Sequence, residues 1–196
     1  MGDIKSALEI AMEKVEKLGE ATEEERLSWK YVPEGKQLAG KCLKEDCNLL
    51  AELGKFPEKA KKYVAQGAAE ILIRNIALPK NDVIKKANRK AMDNLKLLKS
   101  NKASVENTYS KIRYLFNHYA EQGEQQRKQA HAALKNEFEA KVQQAMQQQY
   151  GGMMRMKVDV ERQPQFQEEW RRVQNQLDSQ YIMHLNEYKR ELSSLA

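Results

Sequence analysis

SVENTYSKIRYLFNHYAEQGEQQRKQAHAALKNEFEAKVQQAMQQQY, residues 104–150, contains no proline and one glycine, Gly123. Val105, Tyr109, Ile112, Phe116 and Tyr119 recur at steps of three and four. The same steps continue through Gly123, Gln126 and Ala130 to Leu134, Phe138, Val142 and Met146. Such steps keep one face of an α-helix in line with itself, so the spacing predicts one helix of about 70 Å at roughly 1.5 Å per residue. The seam is thinnest around Gly123 and Gln126, where no large apolar side chain falls on it.

Pro164 suits the first turn of a second long helix, whose seam is Phe166, Trp170, Val173, Leu177, Tyr181, Leu185, Tyr188 and Leu192. Two long seamed helices joined by a short segment predict an antiparallel coiled-coil hairpin over 104–196, with its tip at about 151–163. A turn centred near residue 157 would set Tyr150 beside Pro164 and Leu134 beside Tyr181. It would also bring His131 toward His184. The many glutamines of the outgoing arm sit within helical periodicity and read as a solvated face. Between the arms, Met154 to Glu161 alternates apolar and charged residues, the period of a strand with one buried face. An isolated strand leaves backbone groups unpaired. Met154, Met156, Val158 and Val160 are therefore the candidate partner-binding tip, pairing with a second copy or a partner's sheet.

Upstream, short helices predict a multi-helix bundle over residues 1–100. Asp3 caps a first helix with Ile4, Leu8, Ala11, Val15 and Leu18 on one face, and Thr22 with Glu25 forms a capping box. Pro33 is read as a reset between helices, followed by a helix over Glu34–Leu53. Pro57 opens a further helix, in which Ala68–Leu78 is the most apolar stretch of the chain and the first candidate for the core. Pro79 ends it. Asn81 or Asp82 caps the next helix, with Ile84, Ala87, Ala91, Leu95 and Leu98 along one side, and Ser104 caps the long one. The fold class is all-α: a bundle, then the hairpin with a short extended or β tip.

The 196 residues include 4 Pro and 9 Gly, with mean hydropathy −0.82. No window approaches a membrane span. Asp3, Glu9, Glu13 and Glu16 interrupt the opening apolar positions, unlike a secretory signal, and the location is read as cytoplasmic. The net charge of +6 is concentrated in residues 55–102, which hold 13 Lys+Arg against 4 Asp+Glu. Lys85, Lys86, Arg89, Lys90 and Lys96 gather on one face of a helix and are the candidate nucleic-acid contacts, since such a face can displace counterions from phosphates. No aromatic residue interleaves them to stack on bases.

Other motifs point to no chemistry. Gly35 to Cys42 has P-loop spacing but no preceding buried strand. His118 with Glu121 and His184 with Glu187 have ligand spacing, yet the hairpin separates the two pairs. Cys42 and Cys47, five residues apart on one helix, would face apart, and they are read as free buried thiols. No catalytic, cofactor-binding or metal residues are assigned.

Ile4-Lys5-Ser6-Ala7-Leu8-Glu9 through Lys17-Leu18-Gly19 resembles the start of a bacterial and archaeal family of short helical proteins with no assigned function. The resemblance covers the first quarter of the chain and implies no site residues. The sequence thus leads to a non-enzymatic interaction or scaffold protein acting through the hairpin and its tip, on a protein partner or itself. The alternative is nucleic-acid binding by the basic 55–102 helices.

Overall fold

Thr22 opens the first described helix with a complete capping box. Its hydroxyl accepts from the Glu25 N–H at 3.2 Å, and its own N–H donates to the Glu25 carboxylate at 2.8 Å. Helix α1 follows, Glu23–Lys44. A computed structural model describes residues 21–45, 47–150 and 159–195, and the chain divides into two compact units, Met1–Leu72 and Ile73–Ala196. The division falls well before the Ser100–Ala103 break in the sequence pattern, because the helix before that break packs on the one after it.

In the first unit, Pro33 lies inside α1 and does not interrupt it, a correction to the expected reset. Proline removes the bond to the carbonyl four residues earlier. That residue is Trp29, which is 68% exposed, so water can serve the carbonyl. The expected helix over Glu34–Leu53 is also divided. α1 stops at Lys44, Glu45 is extended, and Asn48 caps a separate short helix α2, Leu49–Gly54, by accepting from the Ala51 N–H at 3.2 Å. This break lets the chain double back, and Cys42 and Cys47 are joined as a disulfide with their Cα atoms 5.0 Å apart. The free-thiol reading failed because it carried helical geometry past the point where the helix ends.

Helix α3, Glu58–Asn75, returns alongside α1 in the same direction, with Lys59 on Glu23 at 3.0 Å and Lys36 on Glu70 at 2.8 Å. Where the two cross, each contributes a buried glycine. A Cβ added to Gly35 would overlap the Val64 carbonyl, and one added to Gly67 would overlap the Val32 carbonyl. Buried Ala39, Ala60 and Ala68 extend this surface of small residues.

In the second unit Ile73, Ile76 and Leu78 are buried, so the most apolar stretch does contribute to the core. The helix ends at Asn75, before Pro79, and the chain runs on as a non-helical segment. Asn88 holds that segment by both halves of its amide. Its Oδ1 accepts from the Ala77 N–H at 2.9 Å and its Nδ2 donates to the Ala77 carbonyl at 2.6 Å. Asn81 caps α4, Asp82–Leu98. Asn101, one turn before the expected Ser104, accepts from the Ser104 N–H at 3.0 Å at the start of α5, Lys102–Tyr150. α4 and α5 run antiparallel, tied by Tyr109, whose hydroxyl donates to the Met92 carbonyl at 2.7 Å, and by Lys96 on Glu106 at 2.7 Å.

Within the expected tip the described residues form a 3-10 turn, Val160–Arg162, and α6, Pro164–Ser194, follows. α6 runs antiparallel to α5: Lys111 meets Glu191, Tyr119 meets Asp178, and His131 meets Phe166 and Trp170. Leu134 and Tyr181 are therefore not opposite one another; the Tyr181 ring packs on Tyr119 and His118 instead. His131 and His184 are likewise held apart. The shift arises because the 3-10 turn folds back onto α5, with Glu161 on Lys135 at 2.6 Å, so that α6 starts some three turns short of the end of α5.

The strand expected at Met154–Glu161 is contradicted over its last two residues. Val160 and Glu161 lie in the 3-10 turn, whose i→i+3 bond from the Gln163 N–H to the Val160 carbonyl curls the backbone out of extension. Met154, Met156 and Val158 lie outside the described residues, among which every regular element is helical.

The glycine crossing yields the first prediction. Gly35→Ala and Gly67→Ala each force backbone apart, whereas Gly40→Ala, with open space at its Cβ position, does not. The first two should lose about 1–3 kcal/mol in urea denaturation. Gly40→Ala should be neutral or gain up to about 1 kcal/mol from helix propensity.

Candidate functional site

Asp178 has 3% of its surface exposed, at a position where the α6 periodicity calls for nothing charged. Its two oxygens are both engaged. Lys80, at the end of the segment after α3, places Nζ 2.6 Å from Oδ2. Tyr119, from α5, donates its hydroxyl to Oδ1 at 3.0 Å. A buried carboxylate is tolerated only when its charge and lone pairs are met, and here a lysine with a half-exposed side chain supplies the charge.

Aromatic and cationic groups surround this node. The Tyr119 and Tyr181 rings meet edge to face at 5.1 Å, and the Arg127 guanidinium lies 4.3 Å over the Tyr119 ring. His118 Nδ1 and the Tyr181 hydroxyl are 3.0 Å apart. Gly123 explains the thin part of the seam: a Cβ there would come within 3.1 Å of Arg127 and 3.4 Å of the Tyr181 hydroxyl. Burial, reinforced by the Asp178 charge, pushes the Tyr119 phenol up to about 12. Desolvation raises Tyr181 as well, and Tyr109 more strongly. Among the described residues no buried side-chain polar atom lacks a partner. The node therefore closes on itself as a structural lock.

A groove of about 680 Å³ runs along the α4–α5 pair. Pro79, Met92, Tyr109, Phe116 and Ala120 give it an apolar lining, and Lys85, Arg89, Lys96 and Arg113 line it with Asp93 and Glu106. Glu106 binds both Lys96 and Arg113, which holds its carboxyl below the usual carboxylate range. Three of the five expected nucleic-acid residues, Lys85, Arg89 and Lys96, thus line one groove. Each has an acid nearby: Asp82 at 3.0 Å from Lys85, Asp93 at 3.9 Å from Arg89, and Glu106 on Lys96. Lys86 is exposed and Lys90 half-buried, and neither lines the groove.

Of the expected tip residues, Val160 is 1% exposed within its own chain. His184 pairs with Glu187 at 3.2 Å. Among the described residues no three His, Cys, Asp or Glu side chains gather where they could hold a metal ion, and no helix is long and apolar enough to cross a membrane. Asp178 was missed because its charge marks it as surface. Its only sequence signal is that it falls one turn before Tyr181 on the seam side of α6.

Residues 50–194 match a family of unknown function, DUF6657. The chain belongs to this family. The match spans α2 to α6 and contains both the Asp178 node and the groove. The expectation of a family without assigned function holds, but the residues that carry it are these helices and not the Ile4–Gly19 opening. No curated protein and no solved structure matches the chain.

Because the fold holds Tyr119 as the neutral phenol, its contribution is whole below about pH 10 and is lost as pH rises toward about 12. Tyr119→Phe should cost about 1.5–3 kcal/mol at pH 8, where the bond to a charged carboxylate is removed. Its stability should then fall less steeply than that of the parent between pH 10 and about 11.5, as read from urea midpoints at each pH.

Proposed function

We propose that the chain is a non-enzymatic interaction or scaffold protein in which α5 and α6 act as a coiled-coil hairpin arm toward another protein or a second copy. The observation that carries this reading is the single register of the pair. Lys111 on Glu191, Tyr119 on Asp178 and Lys135 on Glu161 are specific contacts distributed along the helices, and Phe166 packs its ring on Phe138. Non-polar packing alone tolerates sliding, whereas each of these pairs is lost when one helix slides past the other.

The 49 residues of α5 span about 73 Å at roughly 1.5 Å per residue. Its last turns extend beyond the start of α6, with Gln143, Gln144, Gln147 and Gln148 exposed and Val142 and Met146 half-buried. This distal end, leading into the Met154, Met156 and Val158 segment, is the part of the arm best suited to a partner. The basic helices support nucleic-acid binding less well, since the carboxylates beside Lys85, Arg89 and Lys96 already offset part of their charge.

A photoreactive residue placed at Gln144, and in a second protein at exposed Asn175 on α6, tests the arm. The reading expects a discrete adduct, either a self-dimer or one partner, from position 144 and none from position 175. Equal labelling at both positions, or nucleic acid recovered with the protein at about 50 mM salt and released at high salt, contradicts it.

A further inference from the structure

The α4–α5 groove has a shape and charge that the arm does not use. Its α4 wall extends from Lys85 to Lys96 and its α5 wall from Glu106 to Ala120. At about 1.5 Å per residue these walls are roughly 16 and 21 Å long, the length of three to four helical turns. The floor is apolar and already satisfied: the Tyr109 hydroxyl, its main polar atom, is committed to the Met92 carbonyl. What the groove offers an occupant is therefore apolar contact below and charge at the edges.

That charge has a sign. Four cations line the groove against two carboxylates, and Asp82, just outside the lining, pairs with Lys85 at 3.0 Å, which leaves a smaller positive excess. Glu106 is shared by Lys96 and Arg113, so one carboxylate answers two cations. Arg89 is 87% exposed in its side chain and only 3.9 Å from Asp93, the limit of an ion pair. Nucleic acid is a poor fit, because the floor is apolar and no exposed aromatic ring in the groove is placed for base stacking. An extended strand is also a poor fit, since two helices present no open backbone edge for it to pair with.

We propose that this groove seats an amphipathic helix of a partner protein, three to four turns long, with its apolar face on Met92 and Phe116 and its acidic flanks toward Arg89 and Arg113. A third helix laid against an antiparallel pair is a packing that ridge-and-groove geometry favours. The inference stands apart from the arm reading: the groove lies on residues 79–120, and the distal end of the arm on residues beyond 139.

The test uses the full chain and a fluorescein-labelled, helix-favouring peptide of about 15 residues, with leucines on one face and glutamates on both flanks. Its twins carry lysine flanks or a scrambled order. Fluorescence anisotropy should show saturable binding of the acidic amphipathic peptide, with both twins at least about tenfold weaker. Ala120→Trp, which fills the groove from an exposed position, should weaken binding about tenfold. Arg89→Glu should weaken the acidic peptide and strengthen the lysine-flanked one. Both sites are on the surface, so thermal melting should show the fold intact. The proposal is overturned if the acidic peptide binds no better than its scrambled twin, if Ala120→Trp and Arg89→Glu bind as the parent does, or if a labelled oligonucleotide binds the same groove more tightly than the peptide.

Discussion

One buried carboxylate decides how the second unit is assembled. Asp178 sits in α6 almost out of contact with water, and its charge is met from two other parts of the chain, Lys80 before α4 and Tyr119 in α5. Removing either partner leaves a buried oxygen short of a bond, at a cost of roughly 1–3 kcal/mol for a neutral donor and more for a charged one. Hydrophobic seams are forgiving about which turn faces which; this node is not. It sets α6 on α5 in one register and fixes the end of the non-helical segment against both.

The same segment is held at its other end by Asn88, which clasps Ala77 through two hydrogen bonds. Asn88 is on α4, so the segment is pinned between α4 and the α5–α6 pair. Lys99 reaches the Leu195 carbonyl and Lys189 the Arg74 carbonyl, which ties down the last turns of α6 in addition. Desolvation lowers the affinity of both lysines for their protons, the mark of cations drawn in among packed chain. With α4 held in this way, the groove beside it has fixed walls. The α5–α6 pair and the walls of the groove are held by one set of polar bonds.

Helix existence and seam were legible in the sequence because both depend on local periodicity. Val105, Tyr109, Ile112, Leu134, Phe166, Leu185 and Leu192 are all buried where the steps of three and four place them. The Thr22 capping box and the Asn81 cap were legible for the same reason, since each is satisfied within three residues. What depended on tertiary context was not. Pro33 marks a break only if its lost hydrogen bond is costly, and on the exposed face of α1 it is not. Gly35 and Gly67 read as ordinary small residues until two helices cross on them. The offset of α6 came from a 3-10 turn that the alternating pattern at 154–161 disguised as a strand. Of the candidate sites, Lys85, Arg89 and Lys96 do share a groove; Asp82 and Asp93 lie within one turn of Lys85 and Arg89, but Glu106, on the next helix, lies at a sequence distance from Lys96 that periodicity cannot connect. Asp178, the residue on which the unit turns, was hidden because a charged residue in a polar-rich helix gives no local sign of being buried.

The register of α5 against α6 is the claim on which the rest stands, and a distance between spin labels measures it most directly. Labels at exposed Gln122 on α5 and exposed Ser179 on α6 lie on level turns when Tyr119 faces Asp178. Pulsed electron–electron resonance should then give one narrow, short distance, within about 25 Å allowing for two label arms and a helix spacing of roughly 8–10 Å. It should broaden when Asp178, Tyr119 and Lys80 are replaced together by Leu, Phe and Met. A register centred near residue 157 would slide the labels about 20 Å further along the axis, at roughly 1.5 Å per residue. A long distance in the parent chain, or a narrow distribution unchanged in the triple variant, would contradict the account.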